Sequence, residues 1–326
     1  MQIAIIVLSI LGILLLIGFL AAWVLHTKLF GRRYTPDPLI RYYTREEFGL
    51  SAAAVEFPCG KYSLKGFIYS YDNALTDKLI VFAHGMWSST RAYMQDIEYL
   101  CRKGYRVLGF DYTGTDLSEG KRLKGLAQGV RSLSAALNYI QSQPEYHTVK
   151  IYVVGHSWGG FSTLNVVKYH PEVEGIVALA PFVSIPKVLK GMLPKGLYWM
   201  IPFVLAVEFI HCGKTAFVNA KRSLRSYPGK VLIIHSEDDP MVSYAYNTAE
   251  LKKKCLNPRI SYYITAGKRH NPQYTAEAVQ ALQEYSLRLQ GLSPQEAEEF
   301  KKNTDYHELG RLDCEVMDRI VDFIND

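Results

Sequence analysis

The sequence predicts an α/β protein with a mostly parallel central sheet, helices on both of its faces, and one membrane-spanning helix in front. Three observations predict it. Short apolar runs bounded by turn residues fall at 79–83, 106–110, 151–154, 175–179, 231–235 and 261–265. Each is β-branched or aromatic-rich and four to six residues long, as buried parallel strands are. Stretches with helical period lie at 91–102, 125–143, 160–169 and 246–255, and this alternation is the pattern of a parallel sheet covered by helices. The third observation is a run from Ile3 to Leu25 with no charged residue.

That run comes first in chain order. About 20 residues at 1.5 Å each cross a bilayer core of ~30 Å, so it is long enough to span. A cleaved signal peptide is the rival reading. It would need a basic n-region, a shorter apolar core and a small-x-small cleavage site. Here only Met1 and Gln2 precede the run, and Leu20 stands where a small residue should precede Ala22. An uncleaved anchor over residues 1–26 is therefore expected, with Trp23 at the interface. Lys28, Arg32, Arg33 and Arg41 follow the span and no basic residue precedes it, which places the body in the cytoplasm.

A polar, Tyr-rich linker over 27–50 leads into a domain over 51–326, opening with two strands near 52–57 and 64–71. Two regions break the alternation that follows. Residues 181–227 exceed a strand-to-strand connection, and their apolar stretch 197–210 is interrupted by Pro202 and Glu208 and falls short of a span. Residues 283–326 are polar and acid-rich up to a final helix at 315–324.

Composition narrows the partners. A net charge of +6, from 37 basic and 31 acidic residues spread along the chain, gives no dense basic stripe for nucleic acid. The five cysteines are widely spaced, with neither Cys-x-x-Cys nor zinc-spaced histidines, so no disulfide framework or structural metal is expected.

The chemistry sits at strand ends. Gly155-His156-Ser157-Trp158-Gly159 follows the strand 151–154 and opens a helical stretch. A strand-to-helix turn this tight needs flanking glycines, and it lifts a serine hydroxyl clear of the sheet. Ser157 is the expected nucleophile. A serine hydroxyl needs a base, and the chain order for this turn is serine, acid, histidine. The strand 231–235 ends in Ser236-Glu237-Asp238-Asp239-Pro240, where Asp239, directly before a turn-forming proline, is preferred to Asp238. His270 follows the last strand in a loop and is the expected base; the other eight histidines are assigned to turns, strand interior, core or surface. The strand 79–83 ends in His84-Gly85-Met86-Trp87, a turn suited to presenting a backbone amide. Met86 and Trp158 are the expected oxyanion donors through their backbone N–H groups.

With these residues assembled, the sequence resembles the α/β-hydrolase superfamily of serine hydrolases, in particular bacterial membrane-anchored members grouped with serine aminopeptidases and monoacylglycerol-lipase-like enzymes. The resemblance covers about residues 52–326 through His84-Gly85, Gly155–Gly159, Asp239 and His270. It departs at Asp111–Ser118, where the superfamily's Asp-x-Arg-Gly-x-Gly-x-Ser loop lacks its arginine and second glycine. The resemblance implies a helical cap over the active site at about 182–227. It also implies hydrolysis of an ester of an apolar substrate through an acyl-enzyme on Ser157, without metal or cofactor. Serine aminopeptidase or thioesterase activity on the same three residues is the alternative, Glu208 being the candidate ligand for a free α-amine. A membrane-tethered binding module with an inert pocket is the reading from another class. The cap is expected to be a helical cover with a buried face rather than a membrane-dipping lid, although Lys187, Lys190 and Lys195 could meet anionic headgroups.

Overall fold

In a computed structural model, residues 1–34 and 40–326 are described, so part of the stretch read as a linker lies outside the described residues. Eight strands form one sheet: β1 (Ser51–Cys59), β2 (Tyr62–Ser70), β3 (Lys78–Ala83), β4 (Arg106–Phe110), β5 (Lys150–His156), β6 (Gly175–Leu179), β7 (Lys230–Ser236) and β8 (Ile260–Thr265). Their order is β1-β2-β4-β3-β5-β6-β7-β8. The hairpin β1–β2 and the β2–β4 pair are antiparallel, and every pair from β4 onward is parallel.

The period of two along a strand sorts side chains to two cores. Leu79, Val81 and Ala83 of β3 enter one, with Val130, Leu133 and Leu137 of α3 (Gln128–Ser142) and Phe161 and Leu164 of α4 (Trp158–Val166). Ile80 and Phe82 enter the other, with Ile97 and Leu100 of α2 (Met94–Arg102) and Val316, Ile320 and Ile324 of the final helix. That final helix, Cys314–Asn325, buries its 316/320/324 stripe at about 1.5–3 kcal/mol per side chain.

Helix ends differ from the expected ones for local reasons. The stretch expected from residue 91 starts as a tight 3₁₀ turn at Thr90–Tyr93. The helix expected from 125 starts at Gln128, because Gly125 adopts a φ of 139° that no helix contains. The acid-rich tail holds further helices, including Ala276–Gln290 and Pro294–Lys302, the second closed by a Ser293/Glu296 capping box.

The apolar helix α1 (Gln2–Phe30) extends four residues into the stretch read as a linker. It is long and apolar enough to cross a membrane. Its buried residues are Gly18, Ala22, His26 and Phe30, a single i, i+4 stripe, and residues 2–17 are exposed. The stripe packs on the cap insertion, which contains α5 (Ile185–Met192), α6 (Ile201–Cys212) and α7 (Ala220–Leu224). Of the three lysines expected to meet headgroups, Lys187 is ion-paired with Glu250, so it is not a free cation, and Lys190 lies over the Tyr198 ring.

Candidate active site

β5 passes directly into α4 through Ser157, whose φ of 56° and ψ of −112° lie where non-glycine residues rarely go. The strain is held from several sides. Ser157 N–H donates to Leu179 O of β6 at 2.8 Å, and its carbonyl accepts from Phe161 N–H at 2.9 Å. Side chains are forbidden on either side: a Cβ at Gly159 would strike the Ala83 carbonyl, and one at Gly155 would strike Thr163 and the Gly159 backbone. The glycines read from the motif are therefore a packing requirement of the turn.

The loops after β7 and β8 bring two side chains to this serine. His270 Nε2 lies 2.9 Å from Ser157 Oγ, and His270 Nδ1 lies 2.8 Å from Asp239 Oδ2. A carboxylate only accepts, so Nδ1 carries the proton and Nε2 accepts from the serine hydroxyl. Asp239 is buried at 6% exposure, and its Oδ1 accepts from the Met241 and Val242 amides at 2.8 and 2.9 Å. Burial alone would raise its pKa, but hydrogen bonds from His235 and His270 outweigh it and hold the carboxyl well below the ordinary range. Asp238 points elsewhere, accepting from Ser236 Oγ and Gly267 N–H.

Three further histidines support this arrangement, and the sequence had given none of them such a part. His235, at the end of β7, sends Nε2–H to Asp239 Oδ2 (3.1 Å) and Val242 O (3.0 Å) and accepts from Thr248 Oγ1 on Nδ1. Its spacing of four before Asp239, at a buried strand position, was the available signal. His156 donates from Nε2 to the His270 carbonyl at 2.8 Å and accepts on Nδ1 from Tyr93 O–H, which in turn accepts from Gly85 N–H. One chain of bonds thus ties the loop after β3 to the loop carrying His270. His84 bonds Gly85 O and accepts from Tyr112 N–H. Burial lowers the pKa of His156 to about 3 and of His84 to about 4, so both are neutral at pH 7.

Met86 lies beside Ser157 and His270 on the wall of a cavity of about 340 Å³, a size typical of small-molecule sites. Trp158 is the first residue of α4, where an amide has no intrahelical acceptor. Its indole N–H is committed to Leu126 O at 2.5 Å, and its ring stands edge-on to Tyr112. In the departing loop, the Asp111 carboxylate accepts from the Thr90 and Leu117 amides, and Arg91 pairs with Asp116. An arginine from outside the loop therefore braces a segment that lacks its own.

The cavity is almost wholly apolar. Phe182, Val188, Leu189 and Val204 line it from the cap side, and Leu25 and Leu29 from α1. Glu208 is the single carboxylate among the described lining residues, and it is fully buried. It accepts from the Leu126 and Ala127 amides at 2.8 and 3.3 Å and pairs with His26 of α1 at 3.4 Å. Those amides belong to the turn that opens α3, so Glu208 caps that turn rather than standing free for a substrate amine.

Residues 75–206 match the family described as serine aminopeptidase, S33. Over 131 residues the chain is 24% identical to the quorum-quenching protein AidA of Acinetobacter baumannii, a match that spans 39% of this chain and 43% of AidA. Among solved structures it is similar to the Pyrococcus furiosus esterase Pf2001, with a TM-score of 0.57 and 21% identity over 83% of this chain and 98% of that one. It is also similar to Est1E of Butyrivibrio proteoclasticus with ferulic acid bound, at a TM-score of 0.55 and 20% identity over 72% of this chain and 98% of that one.

Proposed function

On this α/β-hydrolase fold, whose family match and relatives support a hydrolase, we propose a serine esterase that cleaves esters of apolar acids through an acyl-enzyme on Ser157. The observation that carries the reading is the continuous run of hydrogen bonds from Ser157 Oγ through His270 to Asp239. His270 Nε2 takes the hydroxyl proton as Oγ attacks the ester carbonyl, and Asp239 stabilises the imidazolium that forms. The Met86 and Trp158 amides donate to the oxyanion; each such donor contributes on the order of 10²–10³ in rate. Collapse of the tetrahedral adduct breaks the ester C–O bond, and the leaving oxygen takes the proton from His270. A water molecule, deprotonated by the same nitrogen, then releases the acid and restores Ser157.

The matched family favours aminoacyl amides as a second substrate class. Against it stands Glu208, whose oxygens accept from two backbone amides, with His26 Nε2 3.4 Å away. Thioesters would use the same steps as esters. We further propose that α1 anchors the chain, with residues 51–326 as the catalytic domain on the cytoplasmic side, following the basic residues after the span.

The test is turnover of a p-nitrophenyl ester panel beside aminoacyl p-nitroanilides, with rapid quench and intact-mass analysis. The esterase reading expects ester turnover and an acyl adduct on Ser157 that is absent from Ser157→Ala. Turnover confined to the anilides would replace it with the aminopeptidase, and no turnover of any substrate by folded protein would replace it with the binding module.

A further inference from the structure

We propose that α1 is a wall of the substrate cavity as well as an anchor, and that the substrate is a membrane-resident ester whose acyl chain lies between α1 and the cap. This rests on the esterase reading above.

Ala22, Leu25, His26, Leu29 and Phe30 of α1 line the same cavity as Ser157 and His270. Without α1 that cavity would lose an entire apolar side. Met192, Leu193 and Met200 of the cap line it as well, so an acyl chain in the cavity meets mostly hydrocarbon. The two surfaces are fixed to each other by the buried His26–Glu208 pair, by Ala22 against Val204 and Val207, and by the stacked rings of His26 and His211.

Helix α1 is packed on the cap from Gly18 onward, where the backbone is closed over by the rings of Phe203 and Trp199. Only residues 2–17 stand clear of the protein. Sixteen residues at 1.5 Å span about 24 Å, against a hydrocarbon core of about 30 Å. A helix that crosses the bilayer therefore draws the Gly18 level, with the adjoining cap, to the hydrocarbon boundary. The cap residue at that level is suited to it: Trp199, against Gly18, is 55% exposed. Apolar surface of that kind marks an interaction site when it adjoins a membrane segment. The cavity thus runs from the membrane boundary, between α1 and the cap, down to Ser157, and an ester can enter it without leaving an apolar environment.

The test uses the full chain in phospholipid nanodiscs, with two readouts. The first is the ratio of kcat/KM for p-nitrophenyl laurate over p-nitrophenyl acetate in Leu25→Trp and Leu29→Trp, which fill the cavity from the α1 side. The ratio is expected to fall by about tenfold or more, as when a hydrophobic pocket loses room for several methylenes. It is expected to stay unchanged in Leu16→Trp, on the free part of the helix. The second readout does not depend on turnover: a fatty acyl ester with a terminal diazirine is photolysed in Ser157→Ala and the adducts are mapped by mass spectrometry. Adducts on residues 22–30 are expected. Turnover with an unaltered ratio in both tryptophan variants, or adducts confined to the cap exterior, would overturn the inference. Adducts on α1 with no turnover by the wild type would instead overturn the esterase reading and leave the cavity assignment standing.

Discussion

Asp238 and Asp239 are neighbours with opposite surroundings, and the difference lies in what donates to each. Asp239 receives two imidazole N–H groups and two backbone amides, while Asp238 receives a serine hydroxyl and one amide beside the Gly267 turn. Asp239→Asn is therefore expected to lower kcat by about 10³–10⁴, through loss of the tautomer that accepts the serine proton. Asp238→Asn should stay within a few-fold of the wild type; steady-state kinetics on one ester compares them. A second carboxylate gives a prediction about stability. Asp96 of α2 is buried, neither oxygen has a partner among the described residues, and burial pushes its pKa up to about 7. Below about pH 4 both folded and unfolded chains hold this proton. As pH rises the unfolded chain releases it first, so the folded state loses stability from about pH 4 to about pH 7. Asp96→Asn removes that loss: its melting temperature should exceed the wild type's at pH 8 by more than at pH 4.5, checked by scanning fluorimetry at both values.

At the scale of elements, much was legible because the same physics that buries a strand marks it in sequence. β3 to β7 are covered on both faces and therefore read as apolar runs between turn residues, whereas the edge strand β8 is only half-buried. The tight turn at Ser157 was legible because only glycine fits at 155 and 159. The approach of His270 and Asp239 to Ser157 followed from their places after the last two strands. The supporting histidines were not legible, since His235 and His156 acquire their parts from groups distant in the chain. The packing of α1 was hidden for another reason: hydropathy reads a lipid-facing helix and a protein-facing one alike, and the His26–Glu208 pair joins distant segments. The joint between α6 and the turn that opens α3 rests on Glu208. Glu208→Ala strands the Leu126 and Ala127 amides in a buried site, at a cost of about 1–3 kcal/mol each before relaxation. Urea denaturation of the detergent-solubilised protein should show the loss, and Glu208→Gln, which keeps one acceptor oxygen, should recover part of it.

For the whole molecule, three parts meet at one cavity. The sheet supplies the strained serine and the two loops that reach it, the cap supplies an apolar roof, and α1 supplies the remaining wall. A catalytic domain cut off after α1 would lack Ala22 to Phe30, so the full chain is the proper object for any assay. His270 and Asp239 are proposed to activate Ser157. The measurement that tests this most directly is the labelling rate of the full chain in nanodiscs by a small fluorophosphonate, for wild type, Ser157→Ala, Asp239→Asn and Asp238→Asn. Labelling is expected in the wild type and Asp238→Asn, none in Ser157→Ala, and a rate lower by orders of magnitude in Asp239→Asn. Folded wild-type protein that resists the reagent, or equal rates in the two asparagine variants, would contradict that activation.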